Sequence, residues 1–76
     1  MRINELEDYL TLPYTIVLTP EYGSWTATIP DLVGCLAVGD TPEEALQLIQ
    51  DAKHSWISAS LERGLAIPQP SEKVML

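Results

Sequence analysis

The stretch that decides the fold is TPEEALQLIQDAKHSWISASLERG, residues 41–64. Thr41 is a typical N-cap residue, Pro42 suits the first helical position, and Glu44 at the third position completes a capping box. Gly64 follows Glu62 and Arg63, and a glycine in this position is typical of a helix C-terminus. The pattern therefore predicts a long helix over residues 42–63. Its apolar stripe is predicted to comprise Ala45, Leu48, Ile49, Ala52, Trp56 and Ala59.

Three alternating segments before this helix predict β-strands. Residues 14–19 and 24–29 alternate apolar and polar side chains, and the Pro20–Gly23 segment between them predicts the turn of a hairpin. A second turn at residues 30–34 leads to a short strand at residues 35–38. Together these segments predict an antiparallel three-stranded meander over residues 14–38.

The two ends of the chain add weaker signals. Residues 3–11 predict a short helix that stops before Pro13. Residues 65–76 predict a terminal strand at Leu65–Ile67 followed by a tail. The order α-β-β-β-α-β predicts an α+β fold in which the long helix covers one face of the sheet. We expect residues 1–76 to form one domain without a DNA-binding domain.

Composition narrows the classes of function. The chain has 76 residues and a net charge of −7, from 11 acids and 4 bases. Because the bases are scattered, direct binding to nucleic acid is disfavoured, whereas a basic protein partner is compatible. One cysteine and one histidine cannot form an intrachain disulfide or a Cys/His zinc site. No signal peptide or membrane-spanning run is visible, so we expect a cytoplasmic protein.

Catalysis receives little support from the residues. Asp31, Asp40 and Glu43 could hold Mg²⁺ for a nuclease, but each has a structural role in a turn or at the helix start. Cys35 lies in a predicted strand and is expected to be a small buried hydrophobe. His54 is expected on the helix surface. We therefore predict no catalytic residue, metal or cofactor.

A second apolar set indicates self-association. Stability of so short a chain is marginal, and neither disulfide nor metal is available to raise it. Several apolar residues lie beside the helix stripe or on the short third strand, and they either form an oligomer interface or are covered by the chain's own ends. These residues are Val38, Leu46, Ile57 and Leu61.

The assembled residues resemble the HicB-type antitoxin family from about Leu6 to Pro70. The resemblance rests on the combined spacing of the following pieces: Leu6–Leu10, Leu12–Tyr14, Gly23, Trp25, Ile29–Leu32, Gly34-Cys35, Gly39–Thr41, Glu43–Ala45, Asp51-Ala52, Trp56-Ile57, Gly64 and Ile67–Pro70.

The resemblance implies a partial RNase H-like fold, β-β-β-α-β, without nuclease activity. It implies an antitoxin that binds and occludes a small basic mRNA-cleaving RNase toxin, HicA-like, in a toxin–antitoxin system. The acids in loops or at the helix start, and two aromatic residues, are the candidate contacts, although Trp25 is equally compatible with core packing. The candidate toxin-binding residues are Glu21, Tyr22, Trp25, Asp31, Asp40 and Glu43.

Two other classes of function stay open at this level. One is an orphan oligomeric domain with a regulatory or ligand-binding role. The other, less favoured, is a metal-dependent nuclease. A neighbouring gene for a small basic protein with a histidine would favour the antitoxin interpretation.

Overall fold

The computed structural model describes residues 5–70 and confirms the α+β class. A short helix and three strands precede one long helix, which packs on the sheet. The strands form a single antiparallel sheet in the order β1-β2-β3. The elements are α1 (Glu5–Leu10), β1 (Val17–Glu21), β2 (Ser24–Thr28), β3 (Leu36–Gly39) and α2 (Pro42–Glu62).

The β1–β2 hairpin is tighter than predicted. Its turn consists of Tyr22 and Gly23 alone, with φ angles of 47° and 85°, whereas the sequence predicted a turn from Pro20 onward. Pro20 instead lies in β1 opposite Trp25. Proline is tolerated there because β1 is an edge strand within the described chain and has no neighbour on its outer side.

β1 also begins later than predicted. The backbone N–H of Tyr14 donates to the carbonyl oxygen of Leu12 at 2.9 Å. This local bond turns the chain where the alternating pattern predicted the first strand residue. The alternation itself survives, since Tyr14 is buried and Ile16 and Leu18 are half-buried.

The N-cap of α2 forms as predicted. The Thr41 hydroxyl accepts a hydrogen bond from the backbone N–H of Glu44 at 3.0 Å. The Glu44 carboxylate reaches back one residue further than in a standard capping box and accepts from the N–H of Asp40 at 2.6 Å.

The C-terminus of α2 also agrees with the sequence. Gly64 has a φ of 68°, and its N–H donates to the carbonyl of Leu61. The N–H of Leu65 donates to the carbonyl of Ser60. This pair of bonds is a Schellman motif, the helix ending that favours glycine at this position.

The buried face of α2 differs from the predicted stripe. It is rotated by roughly 70° about the helix axis at 100° per residue. Leu48 is 39% exposed and Ala59 is also exposed. Lys53 occupies the buried face because its ammonium group donates to the carbonyl of Leu10, which an apolar pattern cannot reveal. The buried residues of α2 are Ala45, Ile49, Lys53, Ile57 and Ser60.

The core lies between α2 and the sheet. The prediction that Ile57 serves an oligomer interface is wrong, since its side chain is fully buried within this chain. The sequence predicts Ile57 beside the apolar stripe, but the buried face of α2 is rotated so that Ile57 points into the core. The buried apolar residues are Tyr14, Ala27, Ile29, Leu32, Cys35, Ala45, Ile49, Ile57 and Ile67.

Gly39 sets the distance between β3 and α2. A Cβ added at this position would lie 2.6 Å from the backbone nitrogen of Ala45 and 3.0 Å from atoms of Glu44. The first turn of α2 therefore rests directly on the backbone of β3. Only glycine allows this approach without moving the helix.

The predicted terminal strand is absent from the part of it that the structure describes. Residues 65–70 have no strand pairing, and residues 71–76 lie outside the described range, as do the first two residues of the predicted 3–11 helix. The segment is nevertheless anchored. Ile67 is buried, and the Tyr14 hydroxyl donates to the carbonyl oxygen of Pro68. Side-chain burial and one hydrogen bond replace the expected ladder.

We predict that Tyr14→Phe lowers the free energy of unfolding by about 1 kcal/mol, because one intramolecular hydrogen bond is lost. The control is Tyr22→Phe, whose side chain is fully exposed and should change stability by less than about 0.5 kcal/mol. Urea denaturation followed by circular dichroism measures both values. Equal effects of the two substitutions would contradict the anchoring role of Tyr14.

Candidate functional site

The strand register gathers several candidate residues at one end of the molecule. Glu21 pairs with Ser24 beside the hairpin tip, and Trp25 pairs with Gly39 at the end of β3. The helix α2 starts at Pro42, and only two residues separate it from the end of β3. The β1–β2 tip and the first turn of α2 therefore share this end of the sheet. We call it the acidic end, comprising Glu21, Tyr22, Asp40, Glu43 and Glu44.

The side chains of the acidic end face solvent. All four carboxylates belong to exposed residues, and Tyr22 is as exposed as a free tyrosine, at 107%. Glu44 accepts from the backbone of Asp40, and Glu21 accepts a long 3.4 Å bond from the Thr26 hydroxyl. The Glu44 carboxylate is thus oriented by a short local bond, and that of Glu21 by a weaker one.

Basic groups are distant from the acidic end within residues 5–70. Lys53 is buried beside α1, where its ammonium donates to Leu10. Arg63 caps the far end of α2, about 30 Å from Glu44 at 1.5 Å per helical residue. The acidic end therefore carries four carboxylates without a basic group of the described chain beside it.

Two predicted contact residues stand apart from this group. Asp31 lies in the turn after β2, at the opposite end of the sheet. Trp25 lies at the acidic end of the sheet but is half-buried and packs against the core. Glu44, in contrast, joins the acidic end although the sequence assigned it only a capping role. The signal that could have included it is its adjacency to Glu43 in the first helical turn.

A second surface is the face of the sheet opposite α2. The pairing of Ala27 with Leu18 and Ala37 puts these residues on the helix side, so their neighbours along each strand point the other way. On β3, Leu36 and Val38 are the apolar residues of that side, and both are about half exposed. We call this surface the open sheet face. It comprises Val17, Thr19, Glu21, Ser24, Thr26, Thr28, Leu36 and Val38.

The remaining predicted residues of α2 divide between surface and partial burial. Leu46 is 39% exposed near the helix start, and Leu61 is half-buried near its end. Leu46 also borders a shallow depression with Thr41, Glu43, Glu44 and Gln47. The predicted role of both leucines in self-association stays a prediction.

A metal-binding cluster is not assembled among the described residues. Within residues 5–70, no three His, Cys, Asp or Glu side chains lie close enough together to hold a metal ion. His54 is exposed on α2. Cys35 is buried as expected, and burial raises the pKa of its thiol, although the nearby positive charge of Lys53 acts in the opposite direction.

The structure therefore defines a small α+β domain with an exposed acidic and aromatic end. The family model described as the HicB_like antitoxin of bacterial toxin-antitoxin systems matches residues 14–75. The chain belongs to this family.

A curated relative supports the same grouping. The chain is 38% identical over 56 residues to the UPF0150 protein ssl0259 of Synechocystis sp., and the match covers 72% of this chain and 77% of the relative. No solved structure matches the chain significantly. No helix among the described residues is long and apolar enough to cross a membrane.

Family membership gives the general role. HicB-like antitoxins act in bacterial toxin–antitoxin systems, so the role is that of an antitoxin and the partner class is a toxin. The family points to a binding protein and not to an enzyme. The partial RNase H-like topology implied by the resemblance stays a prediction, since residues 65–70 contain no fourth strand.

We predict that the Cys35 thiol reacts with a disulfide reagent at pH 8 at least about a hundredfold more slowly in the folded protein than in urea. Burial hinders access and disfavours the reactive thiolate. Because the unfolded thiol ionises at lower pH than the folded one, stability should also fall as pH rises above about 9.

The control for both effects is the Cys35→Ala variant. It should not react with the reagent, and it should lose less stability between about pH 8 and pH 10, where cysteine titrates. Rapid labelling of the folded protein would contradict the burial of this thiol.

Proposed function

We propose that this protein binds a small basic RNase toxin, HicA-like, and inhibits it by covering its RNA-binding surface. The observation that carries the proposal is the acidic end, which combines four exposed acids and an exposed tyrosine in a member of an antitoxin family. A toxin that cleaves mRNA acts in the cytoplasm, and the proposal assigns this chain to the same compartment.

Electrostatics explains why an acidic end suits this partner. An enzyme that binds RNA phosphates must present a positive surface. Carboxylates can occupy that surface in place of phosphate and exclude RNA without any chemical step. Exposed charges of this kind act mainly on the association rate, and salt screens them. Inhibition should therefore form fastest at low ionic strength.

Tyr22 adds an aromatic side chain to the four carboxylates of the acidic end. It is fully exposed at the hairpin tip and has a positive φ, which is uncommon for a residue with a side chain. The turn thus holds the phenol ring away from the domain. Tyrosine is enriched among the residues that dominate binding energy at interfaces, so this position suits an anchor surrounded by acids.

We predict that Glu21→Lys combined with Asp40→Lys slows association with the toxin about tenfold or more at low salt, with a smaller effect at high salt. The toxin to use is the product of an adjacent gene for a small basic protein. Stopped-flow or surface-based kinetics gives the rate, and rescue of growth on co-expression gives the biological readout.

The matched control is Asp51→Lys combined with Glu62→Lys. Both residues are exposed on α2 away from the acidic end, and each pair changes the net charge from −7 to −3. If the control pair slowed association as much as the test pair, net charge and not the acidic end would be responsible. Absence of binding by the unmodified protein would contradict the proposal itself.

We also propose that the protein has no nuclease activity of its own. The support is that Asp31 lies at the opposite end of the sheet from Asp40 and Glu43, so these acids are not assembled as a metal site. Pure protein incubated with RNA and DNA in Mg²⁺ or Mn²⁺ should leave them intact. Cleavage that is lost in Asp40→Asn would refute this prediction.

Self-association is the last part of the proposal. Its support is the short chain and the exposed apolar residues Leu36, Val38 and Leu46.

A further inference from the structure

We infer that the outer edge of β3 is the surface through which two copies of this chain associate, as an antiparallel pair of β3 strands. This inference deepens the proposed self-association and does not depend on the toxin. The sheet order β1-β2-β3 leaves two edges within residues 5–70. The two edges differ in their ability to accept another strand.

The β1 edge is protected against strand pairing. In a hairpin with a two-residue turn, Glu21 and Ser24 form the closing hydrogen-bonded pair, so the next pair, Pro20 with Trp25, is not hydrogen-bonded. The backbone nitrogen of Pro20 therefore faces outward, where proline has no hydrogen to donate. The neighbouring Glu21 adds a charge. Both features are known to block pairing at sheet edges.

The β3 edge carries no such protection. The strand Leu36–Gly39 contains neither proline nor a charged residue. Trp25 must direct its backbone groups toward Gly39, since it does not bond to Pro20. The N–H of Ile29 donates to the carbonyl of Cys35, so the backbone of Cys35, like that of Gly39, points toward β2. Along β3, backbone groups that point toward β2 alternate with groups that point away from it. The backbone N–H and C=O groups of Leu36 and Val38 therefore point away from β2.

This alternation selects one register for a two-fold pair. A register centred on Ala37 places Leu36 opposite Val38 of the second copy, and the reciprocal pair follows by symmetry. Each pair can exchange two hydrogen bonds. A register centred on Leu36 would pair Val38 with Gly34 of the second copy, and one centred on Val38 would pair Leu36 with Asp40. Gly34 and Asp40 both lie outside the strand.

Side chains and charge favour a second copy as the occupant. Leu36 and Val38, 53% and 52% exposed, would become cross-strand neighbours on the open sheet face and bury part of each other. The edge lacks the acids that would suit a basic toxin. Since each copy has a charge of −7, an uncharged, self-complementary edge is where two copies can approach most closely.

The experiment compares Val38→Lys with Val17→Lys by sedimentation equilibrium from about 1 µM to about 1 mM. Both valines lie on the open sheet face and are similarly exposed, at 52% and 41%, but Val17 lies on β1. We expect Val38→Lys to weaken self-association about tenfold or more, because a lysine on an edge strand opposes pairing. Val17→Lys should leave it unchanged.

Amide hydrogen exchange of the unmodified protein tests the register and the occupant. The amides of Leu36 and Val38 should be protected at high protein concentration and exchange faster on dilution. Protection that persists at concentrations where sedimentation shows a monomer would mean that the chain itself covers this edge. Protection that appears only with toxin would make the toxin the occupant. Either result overturns the inference.

The remaining outcomes are also decisive. A monomer at every concentration refutes self-association altogether. Persistence of the oligomer in Val38→Lys refutes the edge but not self-association, and dissociation by both substitutions indicates stacking of open sheet faces instead. Circular dichroism and urea denaturation of each variant show whether it is folded, so that loss of assembly is not confused with unfolding.

Discussion

The close contact between the first turn of α2 and the backbone of β3 is the constraint on which the rest of the structure depends. It requires a residue without a side chain at Gly39, and the Thr41 cap then starts the helix two residues later. The chain must reverse over the sheet at this point. One face of the sheet is covered as a result, and the other face stays open.

The same contact creates the acidic end. A helix N-terminus favours acids in its first turn because its backbone N–H groups carry partial positive charge. Glu43 and Glu44 satisfy that local preference. Since the helix starts beside the β1–β2 tip, these acids also join Glu21 and the exposed Tyr22. A requirement of helix formation thereby contributes charge to a surface suited to binding a basic protein.

Local rules are sufficient to predict the two helices and the three strands of the sheet, but not the rotation of α2 about its axis. The cap at Thr41, the ending at Gly64 and the burial of Cys35 follow from residue type and near neighbours, and the structure agrees. The buried face of α2 was misjudged because Lys53 uses a hydrogen bond to α1 that no periodicity encodes. The sequence predicts Pro20 in a turn because proline is tolerated in a strand only at the edge of a sheet. Which strand forms that edge is not evident from the sequence.

The terminal segment failed as a strand prediction for a related reason. Leu65–Ile67 has the composition of a strand, but a strand needs a partner edge, and the segment is held instead by the burial of Ile67 and the bond from Tyr14. Four of the five residues of the acidic end are predicted from the sequence as candidate contacts, but Glu44 is not, and neither is the grouping. Asp31 and Asp40 look equivalent in sequence, yet the register of β2 and β3 separates them to opposite ends.

The two proposed surfaces are compatible because an antiparallel β3 pair separates the acidic ends. Each acidic end lies where β3 finishes, at Gly39 and Asp40. In the register centred on Ala37, Asp40 of one copy lies level with Gly34 of the other, so the two acidic ends point in opposite directions. The antiparallel arrangement therefore keeps the two acidic ends apart while it uses the outward backbone groups of the strand. Two toxins can approach such a dimer from opposite ends, and neither needs to displace the pairing that holds the copies together.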